Sequence, residues 1–143
     1  MANSTRPLAL VALALAALFA TSALAEDATP AVDAKALISR QLDAFAHDDA
    51  ATAYALAAPQ LKTMFADSDG FIAMVRDKYK AVYRHRSVDF GDPVADGDTI
   101  AISATLVDQD NQVWTAIYKV VKQPDGQWLI GGCVLIKSND TAL

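Results

Sequence analysis

The hydrophobic period changes once along this chain, from helical to strand spacing, and that switch constrains the fold more than any other feature. From residue 34 to about 80 apolar side chains recur every three or four positions. The spacing predicts a first helix over 34–47, with Asp33 as its cap and Ala34, Leu37, Ile38, Leu42 and Phe45 on one face. Gln41 falls in the middle of that face and Asp43 opposite it. A second helix is expected over 50–58, capped by Asp48 or Asp49 and stopped by Pro59. A short helical turn over 61–66 follows. A third helix starts after Asp67-Ser68-Asp69, runs to Tyr79 or Lys80 and shows Phe71, Ile72, Met74, Val75 and Tyr79 as its apolar arc.

From residue 84 the pattern is that of strands: 84–91, 99–107, 113–122 and 128–137. Turn signals at Asp96-Gly97, at 108–112 and at Pro124-Asp125-Gly126 separate them. Short connections make consecutive strands antiparallel neighbours. Helices followed by a curved antiparallel sheet of about four main strands define an α+β domain. Gly131-Gly132 marks a bulge or sharp bend.

Strict alternation in the last strand would put Trp128, Ile130, Gly132, Val134 and Ile136 on one face and Leu129, Gly131, Cys133, Leu135 and Lys137 on the other. The last two strands are thus apolar on both sides, whereas a one-sided antiparallel sheet alternates with polar residues. The helices can cover one face. A homodimer through the sheet is the expected cover for part of the other, with strong curling of the sheet as the rival.

Residues 1–25 form a second pattern. Arg6 supplies a short positive region, residues 8–20 are an unbroken apolar run, and Ala23-Leu24-Ala25 precedes Glu26. This is the layout of a secretory signal peptide cleaved between Ala25 and Glu26, and the apolar run is too short for a membrane span, which takes about 20 residues. The expected product is an exported protein, periplasmic in a Gram-negative bacterium or secreted, without stable membrane insertion. Its expected parts are a mobile lead-in over 26–32, one domain over 33–137 and a frayed tail over 138–143. Loss of Arg6 leaves 11 basic against 17 acidic residues, a net charge of −6. Such a surface has no long-range attraction for nucleic acid or anionic lipid. With one cysteine no intramolecular disulfide forms, and with two histidines a zinc cluster is not expected. No cofactor is expected either.

The one concentrated basic stretch is Arg84-His85-Arg86. If strand phase holds from 84, Arg84 and Arg86 point with Val88 and Phe90 toward the helices and stand at the rim of the concave side. Two guanidinium forks there suit a small anionic ligand; alternatively they pair with Asp48, Asp49 or Asp77 and tie the layers together. Gln41, Tyr54, Tyr79, Arg84 and Arg86 are the candidate ligand-binding residues, and Tyr118 is a further hydroxyl able to face the hollow. Cys133 is read as a packed, inert thiol. No carboxylate pair, Ser-His-Asp order or phosphate loop is present. Asp43 lies on the wet side of its helix, and an amide such as Gln41 cannot shuttle protons.

The stretches QLDAFAHDDAATAYALAAP, GFIAMVRDKYKAVYRHRSVDFG and QWLIGGCVLI resemble a family of exported bacterial proteins catalogued as domain of unknown function 4864. The order of elements resembles the nuclear-transport-factor-2-like (SnoaL-like) cone. The resemblance implies a cone-shaped fold with a cavity between helices and sheet, and implies no activity. Sequence alone therefore points to a non-catalytic binding or accessory module. An acid–base enzyme on the same fold, of isomerase or dehydratase type, and a protein-interaction module using the apolar sheet face are the alternatives.

Overall fold

The computed structural model describes residues 30–141, and the side chains of 34–139. The expected signal segment, its expected Ala25–Glu26 junction and the first part of the expected lead-in lie outside the described residues. Among the described residues five helices precede the sheet: α1 (Pro30–Ala46), α2 (Ala50–Ala55), α3 (Pro59–Lys62), α4 (Ser68–Lys78) and α5 (Lys80–Tyr83). The strands are β1 (His85–Phe90), β2 (Val94–Asp96), β3 (Thr99–Asp108), β4 (Gln112–Lys122) and β5 (Trp128–Thr141). The sheet is antiparallel in the order β1-β3-β4-β5, and β2 pairs with β3 beyond the end of β1. The α+β arrangement expected from the period switch is the one observed.

Local chemistry explains most boundaries. Asp49 caps α2 by accepting from the Thr52 amide at 3.0 Å, and Asp67 caps α4 by accepting from the Gly70 amide at 2.8 Å. Asp48 ends the α1 turn in the left-handed region, at φ 56°, a conformation that Asp tolerates better than most residues. Gly97 and Gly126 take positive φ in the β2–β3 and β4–β5 turns, where a side chain would be strained.

Some boundaries differ from the sequence reading. α1 begins at Pro30, inside the expected lead-in, because proline suits the first helical turn. β5 continues to Thr141 where a frayed tail was expected. β4 starts at Gln112, which pairs with Thr141 and donates its side-chain amide to the Ser138 carbonyl at 2.7 Å. β2 is three residues long, too short to show a period. The helical path breaks at Tyr79 (φ −126°, ψ 49°) and resumes as α5, whose Ala81, Val82 and Tyr83 are all buried.

The helices pack on one face of the sheet. Ile38, Leu42 and Phe45 of α1 and Phe71, Ile72 and Val75 of α4 meet Ile100, Ile102 and Leu106 of β3 and Val120 of β4. Phe45 is the central ring, 6.1 Å from both Phe71 and Tyr83.

Two bulges set which residues face that core. On β5 the register shifts between Ile130 and Gly132, against Val120 and Lys119. Strict alternation is lost there, so Ile130 and Cys133 share the inner face while Val134 and Ile136 turn outward. A Cβ at Gly131 would lie 2.8 Å from Val121 Cγ2, which is why glycine occupies the bulge. On β1 the shift falls between His85 and Ser87. Val88 and Phe90 pair with the inward Leu106 and Ala104, but Arg86 occupies the irregularity and Arg84 precedes the strand. The phase argument that aimed both arginines with Val88 and Phe90 therefore fails.

Candidate ligand-binding site

A cavity of about 130 Å³ lies between the helices and the inner face of the sheet. Gln41 and Phe45 of α1, Leu61 of α3, Phe71, Met74 and Val75 of α4, and Val82 of α5 line its helical side, with Tyr79 from the α4–α5 break. Tyr118 of β4 and Ile130, Gly132 and Cys133 of β5 line the sheet side. The β5 bulge is what brings Cys133 onto this surface, beside its cross-strand partner Tyr118.

The walls are apolar apart from four groups. Gln41, buried in the apolar face of α1, donates through Nε2 to the Ala53 carbonyl at 3.0 Å and so ties α1 to α2. Tyr79 donates to the Cys133 carbonyl at 3.3 Å, holding the helical break against β5. Tyr118 is 1% exposed, and its hydroxyl finds no hydrogen-bond partner of normal geometry among the described residues. Burial pushes its ionisation well above the ordinary tyrosine range, and the neighbouring Cys133 thiol adds to this. Burial likewise pushes the Cys133 thiol up to about 12, with the Tyr118 phenol opposing weakly. Both groups are therefore neutral at physiological pH, and none of the lining residues is an Asp, Glu, His, Lys or Arg.

The five candidate binding residues do not converge. Gln41 and Tyr79 reach the cavity. Tyr54 does not: it packs on Phe71 at 5.7 Å, with its hydroxyl 3.4 Å from the Lys62 carbonyl, between α2, α3 and α4. Arg84 pairs with Asp48 at 2.7 Å, stacks 4.1 Å from the Tyr83 ring and donates to the Phe45 carbonyl. Asp48 also accepts from the Tyr83 hydroxyl. Arg84 thus ties the end of α1 to the entry of β1, the structural alternative offered by its sequence position. Arg86 is exposed and lines neither the cavity nor the groove described next. Asp43 is 75% exposed at its side chain and lies 3.4 Å from His47, away from the hollow. Tyr118 and Cys133, rather than the arginines, complete the cavity; in the sequence the Gly131-Gly132 pair marks the bulge, without showing which residues it turns inward.

A larger, open groove of about 810 Å³ runs between α4–α5 and the β3–β4 turn. It carries Arg76, Lys78, Lys80, Arg84 and Lys137 together with Asp77, Asp108 and Asp110. Much of this charge is engaged within the protein. Lys78 lies 3.1 Å from Asp77, and the Arg76 guanidinium sits 5.4 Å from the Tyr83 ring. Lys137 lies 6.0 Å from the Trp114 ring, whose Nε1 donates to Asp108 at 2.8 Å. Partial burial works against the Asp108 charge, but hydrogen bonds from Trp114 and from the Gln112 and Asp110 amides outweigh it and hold the carboxyl below its ordinary range. The groove's polar groups thus serve largely to fix its own walls. Among the described residues no cluster of three His, Cys, Asp or Glu side chains could hold a metal ion, and no helix is long and apolar enough to cross a membrane.

Short helices packed on one face of an antiparallel sheet, with a small cavity between the layers, define a helix-capped α+β fold. The family model for domain of unknown function DUF4864 matches residues 27–143, and the chain belongs to that family. No curated protein matches the sequence. Among solved structures, the chain is similar to an NTF-2-like protein of unknown function from Silicibacter pomeroyi DSS-3. The two are 17% identical, the match covers 73% of this chain and 92% of that one, and the TM-score is 0.46.

Proposed function

We propose that this chain is an exported, non-catalytic binding module whose small ligand enters the cavity between α4 and the sheet. The observation that carries the reading is the lining itself: an apolar, partly open pocket between the helices and the sheet, furnished with two hydroxyls, an amide and a thiol. Its contents can be gripped and oriented, but no group there is poised to take a proton near neutral pH. The acid–base alternative needs an arginine or carboxylate beside the tyrosines, and Arg84 and Asp43 are both committed elsewhere. Export rests on the n-region, apolar run and Ala-x-Ala motif of residues 1–25. Sequencing the N-terminus of protein recovered from a bacterial host checks it, with Glu26 as the expected first residue. An uncleaved Met1 would contradict export by this route.

Benzene tests the pocket, because a comparable engineered apolar cavity of ~150 Å³ accepts it. Saturable binding of benzene is expected, and its loss in Cys133→Phe, whose ring fills the space. Absence of benzene binding by the unaltered protein rejects the reading.

One observation favours a second use of the fold. On the uncovered face, Ile117 of β4 and Val134 and Ile136 of β5 are 43%, 58% and 48% exposed and adjoin across one strand pair. This apolar patch supports a homodimer through the sheet as the assembly in which the binding module operates.

A further inference from the structure

We infer that the cavity selects an uncharged, mostly apolar molecule bearing one hydrogen-bond acceptor, and that Tyr118 is the residue that reads that acceptor. The inference rests on the binding reading above and specifies its ligand, replacing the anionic class suggested by the arginines.

Three observations lead to it. First, Tyr118 lines the cavity, and its hydroxyl, buried beside the Cys133 thiol, lacks a partner of normal geometry in the described protein. Buried polar atoms are nearly always satisfied, so this donor is left for whatever fills the cavity, whether water or ligand. Second, the other polar groups are largely engaged: Gln41 Nε2 on Ala53, and the Tyr79 hydroxyl on the Cys133 carbonyl. Tyr118 is thus the wall hydroxyl that no protein hydrogen bond of normal geometry holds, with the Cys133 thiol as its polar neighbour. Third, no cation lines the cavity, so a carboxylate or phosphate would leave water without a counter-charge to receive it. A volume of about 130 Å³ admits roughly six to ten non-hydrogen atoms, judged against a cavity that holds benzene. A small ketone, ester or aldehyde on an apolar body fits this description.

Acetophenone, α-methylstyrene and benzoate test the inference, since they share one outline and differ only in carbonyl, alkene or carboxylate. Titration of the purified protein, followed by ligand-observed NMR, is expected to show acetophenone binding about two- to tenfold tighter than α-methylstyrene, the worth of one net hydrogen bond. Benzoate is expected to bind at least tenfold more weakly than acetophenone. In Tyr118→Phe the ketone and the alkene should bind equally. Benzoate binding as tightly as acetophenone would overturn the inference while leaving the binding reading intact. So would a ketone preference that survives in Tyr118→Phe, or no ketone preference in the unaltered protein. Failure of all three probes, together with benzene, would overturn both.

Discussion

Tyr118 and Phe45 are both fully buried aromatics, yet they differ in what their removal should cost. Phe45 packs against Phe71 and Tyr83 at the centre of the core. Phe45→Ala should destabilise by about 3–5 kcal/mol, measured by denaturant unfolding. Tyr118→Phe removes only a hydroxyl that no protein group of normal geometry engages. It should cost no more than about 1 kcal/mol, and a loss as large as that of Phe45→Ala would mean the hydroxyl is held by the protein. Trp128 is only half-buried at the β4–β5 hairpin and should cost less than Phe45 on truncation to alanine.

Cys133 carries the clearest pH dependence. Its folded pKa of about 12 lies above the ordinary 9.0. The folded state therefore keeps its proton where the unfolded chain has lost it. This contribution to stability is intact below pH 9 and declines as pH rises from there through about 12. Tyr118, also pushed upward, acts with the same sign. Iodoacetamide at pH 8 should label Cys133 far more slowly in the folded than in the urea-unfolded protein. Equal rates would show that the thiol is not held in the cavity wall.

At the scale of elements, most of the architecture is legible from periodicity and capping residues. The Asp49 and Asp67 caps, the four long strands and the inward face of α1, including Gln41, follow from the sequence. What periodicity misreads is phase after an irregularity. The β1 bulge takes Arg86 out of register, and the β5 bulge turns Val134 and Ile136 outward while bringing Cys133 inward. A period-2 pattern cannot reveal such a shift where both faces are apolar. Gly131-Gly132 marks the place but not its consequence. α5 and β2 span too few residues for any period, and they are defined by tertiary packing and pairing. Because a side chain at Gly131 would meet Val121 at 2.8 Å, Gly131→Val should destabilise by about 1–3 kcal/mol. It should also change the accessibility of Cys133, read by the same alkylation assay. Unchanged stability and labelling would contradict the role assigned to the bulge.

For the whole molecule, the helical layer covers one face of the sheet and leaves Ile117, Val134 and Ile136 on the other. Light scattering at tens of micromolar is expected to give a dimer, and Val134→Lys a folded monomer, because a charge buried in a self-paired apolar patch has no counter-ion. A monomeric unaltered protein would remove the dimer from the account. The cavity between the layers is harder to foresee than the layers themselves. Its polar furnishing depends on Tyr118, Tyr79, Gln41 and Cys133 meeting from four separate segments, two of them positioned by a helical break and a bulge.

The account turns on whether that cavity receives an uncharged guest through Tyr118. A crystal structure of the protein soaked with acetophenone addresses this directly. It should show the ketone between Phe71 and Tyr118, with its oxygen at a hydrogen-bond distance of about 2.8 Å from the phenolic hydroxyl. A ketone seated instead in the charged groove beside Trp114, with the inner cavity left without it, would contradict the account.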